Sequence, residues 1–227
     1  VKPVNVHSDL LNLIQIGKTH SLSTPSNLNI AIGPLVQTWR IGFEDARVPN
    51  HSLISRQLAL TDPKQVIIDD KEQTVFLQQA GMALDLGALA KGYIADKVMA
   101  YLIRDGIDSA LINLGGNVLV HGPNPKRADA AFHVGIQKPG AKRGQHLGVI
   151  KINNQSVVTS GIYERQLNVV GKHYHHLFDR KTGYPIETEM VSLTIVAPSS
   201  LTCELWTTRL FGLDSSMVIT LLNTLDN

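Results

Sequence analysis

Cysteine is almost missing from this sequence. Cys203 stands alone among 227 residues, so no intrachain disulfide can form and the fold must be held by burial. At this length, with 43% hydrophobic and 18% charged residues, a core of sufficient size is available, in one globular unit or two fused small ones. Lysine and arginine are scattered behind a net charge of +2, with no basic run to mark a nucleic-acid surface. No apolar stretch approaches the length of a membrane span. The Walker and Rossmann glycine fingerprints are absent, and Ser160 lies outside any G-x-S-x-G nucleophile elbow. No signal peptide is visible. The chain opens on Val1, not Met, and the expectation is that a leader, an anchor or more of the domain has been removed or left out.

What is present is a mixed order of elements. Residues 1–25 read as a helix running into a loop, and "NLNIAIGPLVQTW" follows with Gly33-Pro34 as punctuation. "HSLISRQLAL" is a short helix. "QVIIDDKEQTVFLQQAGMALDLG" carries strand patterns broken by a turn at Asp69-Asp70-Lys71. The next helix starts near Gly87. Ala90, Ile94, Val98 and Leu102 lie four apart as its buried stripe, and Asp105-Gly106 ends it. "SALINLGGNVLVHG" reads as strand, Gly115-Gly116, strand, and "AFHVGIQK" and "LGVIKIN" are further strands. "SVVTSGIYERQLNVVGKHYHHLFD" reads as strands joined by turns at Ser160-Gly161 and Gly171-Lys172. "VSLTIVA" is a β-branched strand, "SSLTCELWTTRLFGL" a serine-capped helix and "SSMVITLLN" a last one. Strand after strand between helices favours an α+β arrangement with antiparallel sheets.

Four stretches carry candidate chemistry. In "ALDLGALAKGYIAD", Asp85, Gly87, Lys91 and Gly92 stand at the mouth of a helix, where small residues cost helix stability. Something is expected to approach the backbone there. A helix start suits a phosphate, Lys91 adds charge, and Asp85 suits a hydroxyl, an amine, a ring N–H or a metal-bound water. The alternative is a plain strand–helix corner with Asp85 as N-cap. In "CELWTT", Glu204 and Thr208 are four apart on one helix face, a hard-oxygen pair suited to Mg²⁺ or Ca²⁺; the alternative is a solvated face. In "HYHHLFDRKTGYP", a strand would point His175 and His176 to opposite sides, so a histidine metal pair is not expected and one of them is a candidate base. In "TSGIYER", Ser160-Gly161 reads as a turn that fixes Tyr163 and Arg165.

Taken together, the stretches "GPLVQTW", "DLGALAKGYIAD", "ALINLGGNVLVHG", "TSGIYER", "YHHLFDRKTGYP" and "VSLTIVAPSSLTCELWTTRLF" occur in an order that resembles the ApbE family of FAD:protein FMN transferases. The resemblance runs from about Ile30 to Leu213. It implies a T-fold-like α+β architecture of two related halves, antiparallel sheets with flanking helices, as a single ApbE-like domain over 1–227 that lacks part of the family's N-terminal region and C-terminal end. It implies Mg²⁺-dependent transfer of FMN from FAD to a threonine or serine hydroxyl of a partner flavoprotein, with AMP released. FAD pyrophosphatase activity and a non-catalytic flavin-binding relic are the alternatives. Carried onto this sequence, the resemblance gives His176 as the base. Asn27, Leu28, Asn29, Asp85, Lys91 and Phe178 become cofactor contacts, with Asp85 on the flavin. Ala88 (through its carbonyl), Glu204 and Thr208 become metal ligands. The family usually has aspartate at the positions of Asn29 and Glu204 and often at Ile162. It also implies an outward-facing, lipid-anchored place at the cell envelope, with a cytoplasmic one as the alternative.

Overall fold

The computed structural model describes residues 2–142, 144–169 and 171–224. The chain opens with a short strand, β1 (Val4–Asn5), before α1 (Ser8–Leu22), which buries Leu11, Leu13, Ile14 and Gly17 on one side. Gly33-Pro34 is the start of a helix, α2 (Gly33–Trp39), and not a break. Proline costs nothing in a first turn, where its missing N–H would have had no helical partner. After α3 (His51–Leu58), strands β2 (Val66–Asp69) and β3 (Thr74–Leu77) form the expected hairpin. Asp69 Oδ1 accepts from the N–H groups of Lys71 and Glu72, 3.0 Å each, and shapes its turn.

Helix α4 (Ala90–Arg104) starts later than Gly87, with Leu89 as an N-cap that makes no side-chain bond. This removes Asp85 as the cap. The stripe read from sequence is also corrected. Ile94 and Val98 are 51% and 42% exposed, whereas Gly92, Tyr93, Ala95 and Met99 are buried. α4 is apolar on more than one face, and the face with the small residues is the one that can approach its neighbours closely. Asp105 and Gly106 end it as expected.

Strands β4 (Ala110–Leu114), β5 (Asn117–His121), β6 (Phe132–Gln137), β7 (His146–Ile152) and β8 (Ser156–Gly161) follow. Ser160-Gly161 ends a strand where a turn was expected. The ladder β8 makes with β11 (Ser192–Ala197) claims both residues, Ser160 opposite Leu193 and Gly161 opposite Ser192. β9 (Gln166–Val169) and β10 (Lys172–His175) form a hairpin, and α5 (Ser200–Leu210) and α6 (Ser215–Leu222) close the chain. Every strand pairing among the described residues is antiparallel, and the fold is α+β.

Two compact units are discontinuous in sequence. One comprises Val1–Leu86, Ile162–Val191 and Thr208–Asn227; the other Gly87–Gly161 and Ser192–Thr207. The core of the first gathers Leu35, Trp39, Ile41, Ile54 and Phe178. Trp39 is fully buried, donates from Nε1 to the Gly183 carbonyl at 3.1 Å and is ringed by Tyr174, Phe178 and Tyr184. The second unit holds a four-stranded sheet in the order β11-β8-β5-β4. Ala95 and Met99 of α4 pack on Leu119, and Val120, Phe132, Ile152 and Val157 form a further cluster. Cys203 of α5 is fully buried, 3.4 Å from the Ser156 carbonyl, and burial raises its thiol pKa to about 11.

Candidate functional site

Gly92 explains the small residues at the mouth of α4. A Cβ built on it would lie 2.6 Å from the Ser200 carbonyl oxygen, 2.7 Å from the Ser200 carbonyl carbon and 2.8 Å from Leu201 Cα. What approaches the backbone there is the first turn of α5. The two helices then exchange carboxylates. Glu204 of α5 accepts from the Gly92 N–H through Oε2 at 2.6 Å. Asp96 of α4 accepts from Ser200 N at 2.8 Å, Leu201 N at 2.9 Å and Ser199 Oγ at 2.8 Å. Each acid meets amide N–H groups in the first turn of the other helix, where the dipole favours negative charge. Asp96 closes the quoted "KGYIAD" stretch, yet no spacing rule shows that its partners are a hundred residues away.

The second contact of Glu204 is ionic. Lys91 Nζ donates to Oε1 at 2.6 Å, with the Glu204 side chain 4% and the Lys91 side chain 45% exposed. Ala88 lies in the turn just before α4, and Thr208 is one helical turn beyond Glu204 on α5, half-buried. As a donor set, one carboxylate, one hydroxyl and one carbonyl suit a small hard cation that completes its shell with water and phosphate oxygens. Among the described residues no group of three or more His, Cys, Asp or Glu is placed to hold a metal ion. A cation would therefore rely on this mixed set. By donor chemistry these residues fit such a cation, and Glu204 Oε1, paired with a half-exposed ammonium and not with backbone, is the oxygen that would be given to it.

The first unit joins three other candidate segments. The Asp85 N–H donates to the Ile30 carbonyl at 2.8 Å, which ties the loop of Asp85 to the segment that includes Asn27, Leu28 and Asn29. Arg180 Nη1 donates to the carbonyls of Ser21 at 2.8 Å, Ser26 at 3.1 Å and Leu28 at 3.4 Å, and so ties the turn after Phe178 to the same segment. The sequence alone points to no role for Arg180, because donation to main-chain carbonyls leaves no motif. Several side chains are spent on the fold. Asn29 is buried, donating to the Thr61 carbonyl at 2.8 Å and accepting from Ala31 N at 2.9 Å. Leu28 is 2% exposed, Asn27 donates to the Phe211 carbonyl at 2.6 Å, and the Phe178 ring belongs to the core. Contacts from Leu28, Asn29 and Phe178 to a ligand would come chiefly from main chain.

The two adjacent histidines have different surroundings. β10 ends at His175. His175 is buried, with Nε2 donating to the Ile186 carbonyl at 2.9 Å and Nδ1 accepting from Leu177 N at 3.2 Å. Both ring nitrogens are engaged, and burial lowers its pKa. His176 is half-buried, and its Nδ1 lies 3.4 Å from the Arg165 carbonyl. A carbonyl only accepts, so Nδ1 carries the hydrogen, and in the neutral ring this leaves the lone pair to Nε2. That tautomer is the one a base requires.

The family model of the ApbE family matches residues 1–227. The chain belongs to the ApbE family. It is 48% identical over 211 residues to an FAD:protein FMN transferase of Klebsiella pneumoniae (strain 342), covering 93% of this chain and 64% of that protein. It is 37% identical over 222 residues to the FAD:protein FMN transferase of Treponema pallidum, covering 93% of this chain and 61% of that protein. The chain thus spans less than two thirds of the length of these relatives. The crystal structure of the ApbE protein of Thermotoga maritima superposes with a TM-score of 0.88 at 28% identity, covering 98% of this chain and 72% of that one. The flavin transferase ApbE of Vibrio cholerae gives 0.75 at 28% identity, with 91% and 65% covered. The ApbE fold expected from the six sequence stretches is the fold found.

Proposed function

We propose that this ApbE-family protein transfers FMN from FAD to a threonine or serine hydroxyl of an acceptor flavoprotein. What carries the reading is the 48% identity, over 93% of this chain, to a protein named FAD:protein FMN transferase. The acceptor oxygen forms a bond to the FMN phosphorus, the bond from that phosphorus to the bridging oxygen of AMP breaks, and AMP leaves. The hydroxyl is a poor nucleophile until its proton is taken, and His176 Nε2 receives it. The Arg165 carbonyl supports that tautomer by accepting from Nδ1. Asp85 holds the flavin, and the segment Asn27–Asn29 and the Phe178 main chain bind the nucleotide. Lys91 supplies positive charge to the diphosphate. A Mg²⁺ ion held by Glu204, Thr208 and the Ala88 carbonyl would neutralise the charge that develops on the diphosphate oxygens. Location at the cell envelope belongs to the same reading and rests on the resemblance alone. No helix among the described residues is long and apolar enough to cross a membrane.

The test is incubation with FAD, MgCl₂ and an acceptor domain, read as protein-bound flavin by in-gel fluorescence. His176→Ala is expected to lower the single-turnover rate by about two to four orders of magnitude with FAD affinity kept. His175→Ala is expected to cost stability, with the rate per folded molecule retained. Free FMN without labelled acceptor would mean hydrolysis in place of transfer, and equal rate losses in both variants would remove His176 as the base.

A further inference from the structure

We infer that Lys91 and a divalent cation compete for the same oxygen of Glu204, and that the ammonium displaced by the cation becomes the partner of the FAD diphosphate. The inference rests on the cation reading above and adds how that site is regulated. Glu204 has two oxygens with different kinds of partner. Oε2 is fixed on the Gly92 amide, and Gly92 is pinned against the α5 backbone. Oε1 is held by the end of a flexible four-carbon stem that is nearly half exposed. An oxygen given to a dication holds an ammonium at 2.6 Å less well, because the two positive charges would then be within a few ångströms on a carboxylate that is only 4% exposed. Cation binding therefore favours Lys91 swinging out. No covalent bond changes.

This sets the order of energies. A cation that arrives alone must break the ion pair of a buried acid and leave the ammonium to water. A cation that arrives with a diphosphate gives the ammonium a new anion. Cation and nucleotide thus bind with positive coupling, and Lys91 adds a share to the coupling that direct cation–phosphate contact already gives. The helix start alone would not yield this result. It follows from one acid having one fixed donor and one mobile donor.

The experiment uses the whole chain with Mn²⁺ as a paramagnetic probe, free Mn²⁺ being counted by electron paramagnetic resonance with and without FAD. Lys91→Met keeps most of the stem and removes the competitor. It is expected to bind Mn²⁺ alone about tenfold more tightly than the wild type and to show a correspondingly smaller FAD-induced gain in Mn²⁺ affinity, the share left being direct cation–phosphate contact. Lys91→Arg keeps the charge and is expected to bind Mn²⁺ alone no more tightly than the wild type. Urea midpoints establish that each variant is folded. Unchanged or weaker Mn²⁺ binding by Lys91→Met overturns the exchange while the cation site stands. If Glu204→Gln binds Mn²⁺ as the wild type does, the cation assignment itself fails, and the exchange falls with it.

Discussion

Gly92→Ala tests the close approach of α4 and α5 because two effects of opposite sign can be weighed. Helix propensity alone favours alanine by about 0.8–1 kcal/mol in a helix interior, and by less in a first turn. Against this, the new methyl would meet Ser200 and Leu201 at 2.6–2.8 Å. All three nearest atoms are backbone and have no rotamer to escape into. Ordinary contact needs about 3.5 Å, so the helices must part by about 0.8 Å. The 2.6 Å bond from Gly92 N to Glu204 would then stretch towards about 3.4 Å, the long and weak end of the hydrogen-bond range. Strain from overpacking costs about 1–3 kcal/mol, and a weakened bond to a charged acceptor adds to it. The expected net loss is about 2 kcal/mol, or roughly 4–8 °C in Tm at this chain length. Urea unfolding followed by circular dichroism and tryptophan fluorescence measures it as a lower midpoint at unchanged slope. Gly148→Ala is the control, since a Cβ there meets nothing within 4 Å. A Gly92→Ala protein as stable as the wild type, or more stable, would refute the close-approach reasoning.

Asp96→Ala removes the acceptor of three hydrogen bonds at the start of α5, including one from fully buried Ser200. It is expected to lower the unfolding free energy by about 1–3 kcal/mol in the same urea assay. Acid should also destabilise the protein, because burial lowers the pKa of both His20 and His175 below the ordinary 6.5. The unfolded chain then takes up protons first, so this stability is complete above about pH 6.5 and is lost as pH falls towards the lowered folded values. Midpoints measured from pH 8 to pH 5 should decline with that sign, and His175→Gln should flatten the slope.

Local chemistry made much of the fold legible. The Asp69-Asp70-Lys71 turn, the Gly115-Gly116 hairpin and the Asp105-Gly106 stop are decided by neighbouring residues, and each was found where the sequence put it. What failed depended on distant partners. Gly33-Pro34 looks like a break until Ala83 lies against Gly33, where a Cβ would meet the Ala83 carbonyl oxygen at 2.6 Å. The α4 stripe of Ile94 and Val98 obeys helical spacing, but the neighbours of α4 select the small face. Each candidate residue stands in a motif of its own, and the motifs do not show how the residues pair. Lys91 and Glu204 are 113 positions apart, and nothing in either motif shows that one holds the other. Nor does the doublet His175-His176 reveal that one ring is tied at both nitrogens.

The burial of Cys203 has a practical corollary. A thiol with its pKa at about 11, shut against β8 and one residue from Glu204, is closed to alkylating reagents for as long as α5 stays seated. Being the sole cysteine in the chain, it is a built-in clock for the departure of that helix from the sheet. An added surface cysteine can carry a label while the native one keeps time.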